Sequence, residues 1–107
     1  MLIESKTVFS GKYVYKLSYR LSVYGEEFFI SIKSEKYDRR EVVSQGKTPH
    51  AEDVEINESK LPIMQMNEAV EFFRKVSENL VFPYSLDYII EDMEEIPKAE
   101  GKSKITA

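Results

Sequence analysis

"KYVYKLSYRLSVYG", residues 12–25, decides the fold of this chain. Its side chains sort by a period of two. Tyr13, Tyr15, Leu17, Tyr19, Leu21 and Val23 fall on one face, and Val14, Lys16, Ser18, Arg20, Ser22 and Tyr24 on the other. That alternation, carried by aromatic and branched residues, is the pattern of a strand with one face buried. Tyr24-Gly25-Glu26-Glu27 follows as a turn, in which Gly25 is able to take positive φ. "EFFISIKSEK", residues 27–36, alternates again, with Phe28, Ile30 and Ile32 against Phe29, Ser31 and Lys33. Two such runs joined by so short a turn predict an antiparallel hairpin over residues 12–24 and 27–34.

Working outward, "IESKTVFSG", residues 3–11, predicts a preceding strand that closes on Ser10-Gly11. The middle of the chain is less regular. A strand is expected around Arg40 to Gln45, and a short one near Val54 to Ile56 within a loop.

The second half changes period. In "NEAVEFFRKVSENL", residues 67–80, Ala69, Phe72, Phe73, Val76 and Leu80 recur at helical spacing, and Val70 widens the stripe. Asn67 is the expected N-cap of a helix over residues 68–80, with Glu68 and Glu71 in the first turn, where the helix dipole favours acids. Pro83 cannot continue that helix, and Phe82 before it is pushed toward extended geometry. A second helix is expected over residues 85–95, either capped by Ser85 or carrying Pro83 in its first turn. Leu86, Ile89, Ile90 and Met93 form its apolar face, and Pro97 stops it. The connection is so short that the two helices should be neighbours, with Phe82 filling the space where they diverge. The fold expected is α+β, an antiparallel meander of three or four strands followed by two helices packed on one sheet face. Residues 1–97 form its single domain, and residues 98–107 read as a solvated tail.

At 107 residues there is room for one core. Seven Tyr and six Phe with little Gly or Pro mark a globular composition. The absence of cysteine removes disulfides, thiolate metal sites and thiol nucleophiles together, and it fits a reducing compartment. "MLIESKTVFS" lacks a long apolar segment, so no signal peptide is expected. No apolar run approaches the roughly 20 residues that span a bilayer. A cytoplasmic protein without a membrane partner is the expectation. The net charge of −4 opposes non-specific attraction to phosphate backbones.

The hairpin "YKLSYRLSVYGEEFFISI" followed by a helix ending in "SENLVFPYSLDYIIED" resembles an uncharacterised family of short proteins from Gram-positive bacteria. Its members are most alike in a C-terminal segment of the form Leu-x-x-Asn-x-Val-x-Pro-x-x-Leu. The comparable residues here are Glu78-Asn79-Leu80-Val81 with Phe82-Pro83-Tyr84-Ser85-Leu86. The resemblance covers residues 7–95. It implies a bacterial cytoplasmic protein and no particular activity.

Three groups of side chains invite a chemical reading. His50, the single histidine, stands beside Glu52 and Asp53, but one imidazole without cysteine or a second histidine is a poor metal site. A solvated loop histidine is the plainer reading, and neither a metal nor a cofactor is expected. Tyr13, Tyr15 and Tyr19, with Lys33, Lys36, Arg39 and Arg40, could form a stacking platform and basic patch for nucleic acid. The competing reading puts that stripe in the core, because it shares a face with Leu17, Leu21 and Val23, and two apolar helices need a sheet. Finally, Asp87, Glu91, Asp92, Glu94 and Glu95 gather on the last helix, four of them near its C-terminus, where the dipole disfavours acids. They are either a solvated face or a docking surface for a basic partner.

The function expected is a small non-catalytic protein-interaction or regulatory module. Its partner is a protein, bound through the acidic helix end or an exposed sheet edge, and inhibition of a nucleic-acid enzyme is one form of this. A nucleic-acid-binding domain and an enzyme with a carboxylate site are the alternatives.

Overall fold

The computed structural model describes residues 1–43 and 50–95. The chain runs β1 (Leu2–Ser10), β2 (Tyr13–Tyr24), β3 (Glu27–Asp38), α1 (Arg39–Val43), β4 (Asp53–Lys60), α2 (Met66–Glu78) and α3 (Pro83–Glu95). The strands form one antiparallel sheet in the order β1-β2-β3-β4, and α2 and α3 follow it. This is the α+β meander that the change of period predicts. Among the described residues no helix is long and apolar enough to cross a membrane.

Both early hairpins close with two-residue loops. Ser10 pairs with Tyr13 around Gly11-Lys12, and Tyr24 with Glu27 around Gly25-Glu26. Gly11 and Gly25 stand at φ 60° and 65°, the sign that a type II′ turn requires at its first central residue. A side chain at either position would be strained by the backbone although the space beside it is open.

Register carries the apolar residues of the two central strands to one face. Leu17, Tyr19 and Leu21 of β2 meet Phe28, Ile30 and Ile32 of β3, and Ala69, Phe73 and Val76 of α2 and Leu86 and Ile90 of α3 close over them. The same face of β4 is polar, that of β1 mixes Glu4 and Lys6 with Leu2 and Val8, and the helices meet both strands with hydrogen bonds. Ser77 Oγ of α2 donates to Glu4 Oε1 of β1 at 2.8 Å. Asn57 Nδ2 of β4 donates to the Pro83 carbonyl at 3.0 Å, and Ser59 Oγ donates to Asp87 Oδ1 at 2.9 Å. Thus α2 lies over β1 and β2, and α3 over β3 and β4.

Several local expectations are corrected. Residues 40–43, expected as the start of a strand, are helical, because Asp38 caps α1: its Oδ1 accepts the Arg40 backbone N–H at 2.8 Å. The remainder of that expected strand lies outside the described residues, as does the tail 98–107. Strand β4 runs over Asp53–Lys60, longer than expected, because it pairs with β3 along its whole length. Helix α2 begins at Met66 with Gln65 as its cap, and Glu68 reaches back to accept the Gln65 N–H at 2.9 Å. Asn67 is therefore inside the helix. Of the two starts considered for α3, Pro83 in the first turn is the one found.

Leu80 is not on the apolar stripe of α2. It sits beyond the helix at φ 55°, and the turn is closed by Val81 N–H donating to the Val76 carbonyl and Leu80 N–H to that of Ser77. Val14, expected on the solvent side, is only 2% exposed, and its partner Tyr37 7%. They lie on the sheet face opposite α2 and α3, at the end where α1 packs against β2 and β3.

Candidate functional site

Of the basic residues expected as one patch, Lys33 stands apart, while Lys36, Arg39 and Arg40 gather at the sheet end beside the first hairpin. Lys33 and Lys36 are an odd number of residues apart on β3, so they project from opposite sheet faces. Lys36 Nζ lies 4.0 Å above the Tyr13 ring. Arg39 clamps the first hairpin, donating from its side chain to the Gly11 carbonyl at 3.2 Å and stacking 5.1 Å over Phe9. Arg40 is paired with Asp38 at 3.2 Å, and the hydrogen bonds from Arg40 hold the Asp38 carboxyl below the usual carboxylate range.

Of the tyrosine stripe only Tyr19 is inside, and Tyr13 and Tyr15 are half-buried. Tyr19 is fully buried, and its hydroxyl donates to the Val81 carbonyl at 3.0 Å. Burial pushes its pKa up to about 12. Tyr15 packs edge-on against Phe82 at 5.3 Å, and Phe82 stacks on Tyr84 at 5.9 Å. Phe82 thus packs on the sheet side of the α2–α3 junction rather than filling the space between the helices. That space is a groove of about 610 Å³, with Phe72, Val76, Ile89 and Met93 on its walls and Val81 at the junction.

His50 is exposed just ahead of β4. In the acidic group, Asp87 accepts the Ser59 hydroxyl and so helps seat α3 on β4. Glu91 and Asp92 are exposed, and Glu94 and Glu95 complete the last turn, which carries no basic residue.

The sheet contributes two surfaces, of which the sequence reading named only an exposed edge, without saying which strand. The first is its edge. Strands β1 and β4 have no outer neighbour among the described residues. Four of the eight residues of β4 are charged, and α3 bonds to it. Strand β1 carries only Glu4 and Lys6 among nine residues, and these two face each other at 4.0 Å. Leu2, Ile3 and Phe9 are exposed along it. A long, weakly charged apolar edge is an open template for another strand. The signal was present in the sequence as the sparse charge of "LIESKTVFS" at the first strand of the expected meander, whereas the other edge stayed open because strand order after residue 36 did.

The second surface is the sheet face away from α2 and α3. Register places Ile3, Arg20, Ser31 and Glu58 in one row across it, and Ser5, Ser18, Lys33 and Ile56 in the next. No family model, curated protein or solved structure matches the chain.

Proposed function

We propose that this chain is a small, non-catalytic protein-interaction module of the cytoplasm that takes an added strand from a partner protein at the open edge of β1. The observation that carries this reading is the combination, in one edge strand, of unpaired length, exposed Leu2, Ile3 and Phe9, and only two charges that already face each other. Main-chain hydrogen bonds to an edge supply affinity, and alternate side chains supply selectivity. The lack of cysteine in the sequence supports a reducing compartment. Exposed Glu91 and Asp92 on α3 give the same module a second contact, suited to a basic surface.

Amide hydrogen exchange on the full chain, alone and in complex with a partner purified from its own cells, tests the edge reading. The β1 amides gain protection in the complex. Protection confined to α3, with β1 exchanging as it does alone, would replace the edge with the acidic helix end.

A further inference from the structure

We infer that the outer face of the sheet is a docking surface for an extended acidic segment of a partner protein. It rests on the reading of the chain as a protein-binding module and adds the chemistry of what is bound. A groove of about 380 Å³ crosses the middle of this face. Ser18 and Ser31 are its low floor, and Ile3, Arg20, Lys33, Ile56 and Glu58 rise around them.

The charge of the groove runs against that of the chain. Lys16 and Arg20 stand two residues to either side of Ser18 on β2, and Lys33 lies directly across from Ser18 on β3. Arg20 is exposed and has no ion-pair partner among the described residues. Lys16 lies over the Tyr37 ring at 5.5 Å rather than on a carboxylate. Glu35 stands beside the groove, opposite Lys16 and 3.8 Å from Lys33. Glu58 of β4 also lines the groove, in the row of Arg20 and Ser31, and Lys60 is occupied by Glu27 at 2.7 Å. Lys16, Arg20 and Lys33 thus outnumber Glu35 and Glu58 by one positive charge, on a protein whose net charge is −4.

Geometry narrows the ligand. Arg20 is opposite Ser31, and Lys33 is two residues further along the same strand. Their offset along the strands is about 7 Å, the spacing of side chains i and i+2 in an extended chain. Two acids separated by one residue therefore reach Arg20 and Lys33 together, with the guanidinium able to take a carboxylate through two N–H groups. Ile3 and Ile56, 63% and 64% exposed at the two sides, offer aliphatic contact to the flanking residues of that segment. A nucleic-acid strand would leave both isoleucines uncovered and would be opposed by the net charge.

The test is a titration of the isotope-labelled full chain, followed by amide chemical shifts, with a short synthetic peptide of alternating Glu and Ser carrying a Leu at each end. The same peptide with Lys for Glu and an oligo-dT strand are run beside it. The Glu peptide should move Ser18, Arg20, Ser31 and Lys33, lose affinity with salt, and bind about tenfold more weakly to Arg20→Glu and to Lys33→Glu. Arg74→Glu, on the helical layer, should bind it as the parent does. No shifts, shifts confined to the helices, or equal binding of the Lys peptide would overturn the inference. Tighter binding of oligo-dT would overturn it in favour of nucleic acid. A silent outer face with β1 still protected in the natural complex would remove this inference and leave the edge-strand function standing.

Discussion

The Tyr19 hydroxyl donates to the Val81 carbonyl across 3.0 Å, and this bond ties the centre of the sheet to the link between α2 and α3. Tyr19 lies on β2 between Glu4 and Ile32, fully buried, so the phenol can keep its proton far above the ordinary pH of a tyrosine. Removing the hydroxyl leaves a carbonyl without its partner at a half-buried junction. Tyr19→Phe should lower stability by about 1–3 kcal/mol. The pKa adds a second reading. It is raised from 10.0 to about 12 by burial, so the stabilisation by the protonated phenol is complete below pH 10 and is lost as pH rises toward 12. Urea unfolding of both proteins should show the parent's advantage constant near neutrality and shrinking over that alkaline window. An advantage that does not change with pH would mean that the phenol is reached by water.

Leu80 occupies a left-handed backbone position that ordinarily takes glycine, at the end of α2. The side chain is 39% exposed, so little packing is lost with it. Relief of the backbone outweighs the added freedom of the unfolded chain, and Leu80→Gly should stabilise by up to about 1 kcal/mol. A thermal melt reads this directly. A lowered melting temperature would show that Leu80 supports the α2–α3 junction by contacts beyond its own turn.

The two helical faces should respond unequally to truncation. Phe73 is buried against the sheet, whereas Ile89 lines the groove between the helices and is half-buried. Phe73→Ala should cost about 3–5 kcal/mol, and Ile89→Ala less than about 2. Denaturant midpoints compare them. Equal losses would mean that the groove is covered in solution.

What could be read from the sequence follows from what is local. The alternation from Tyr13 to Ile32 fixed the hairpin and its buried face, because side-chain direction in a strand is set by position alone. The recurrence of Phe73, Val76, Leu86 and Ile90 likewise marked the helical faces. Where the reading failed, two signals competed. Val42-Val43 favours a strand, but Asp38 two residues ahead of Arg40 is a cap, and the cap prevailed. Gln65 is an unfavoured cap residue, and it is the reply from Glu68 that makes it one. Val14 looks solvent-facing by period, and its burial opposite Tyr37 comes at the end of the sheet where α1 packs against β2 and β3. The outer groove escaped notice because its walls come from β1, β2, β3 and β4 at once, and of those strands only β2, with Lys16 and Arg20, is basic by itself.

The acidic end of α3 provides the last prediction. Glu91, Asp92, Glu94 and Glu95 lie in the final turns, where the carbonyls carry the negative end of the helix dipole and the last turn holds no basic residue. Each acid there is unfavourable by about 0.3–1 kcal/mol. Asp87 differs, since it accepts the Ser59 hydroxyl, and it is left unchanged in the variant. Changing the other four to Gln should therefore hold or raise stability. If this end is a contact for a basic surface, the same variant loses affinity for the natural partner while its melting temperature does not fall. Those two readouts separate docking from folding. Retained partner affinity in this variant, with loss in Arg20→Glu, would make the helix end a solvated face and place the contact on the outer sheet.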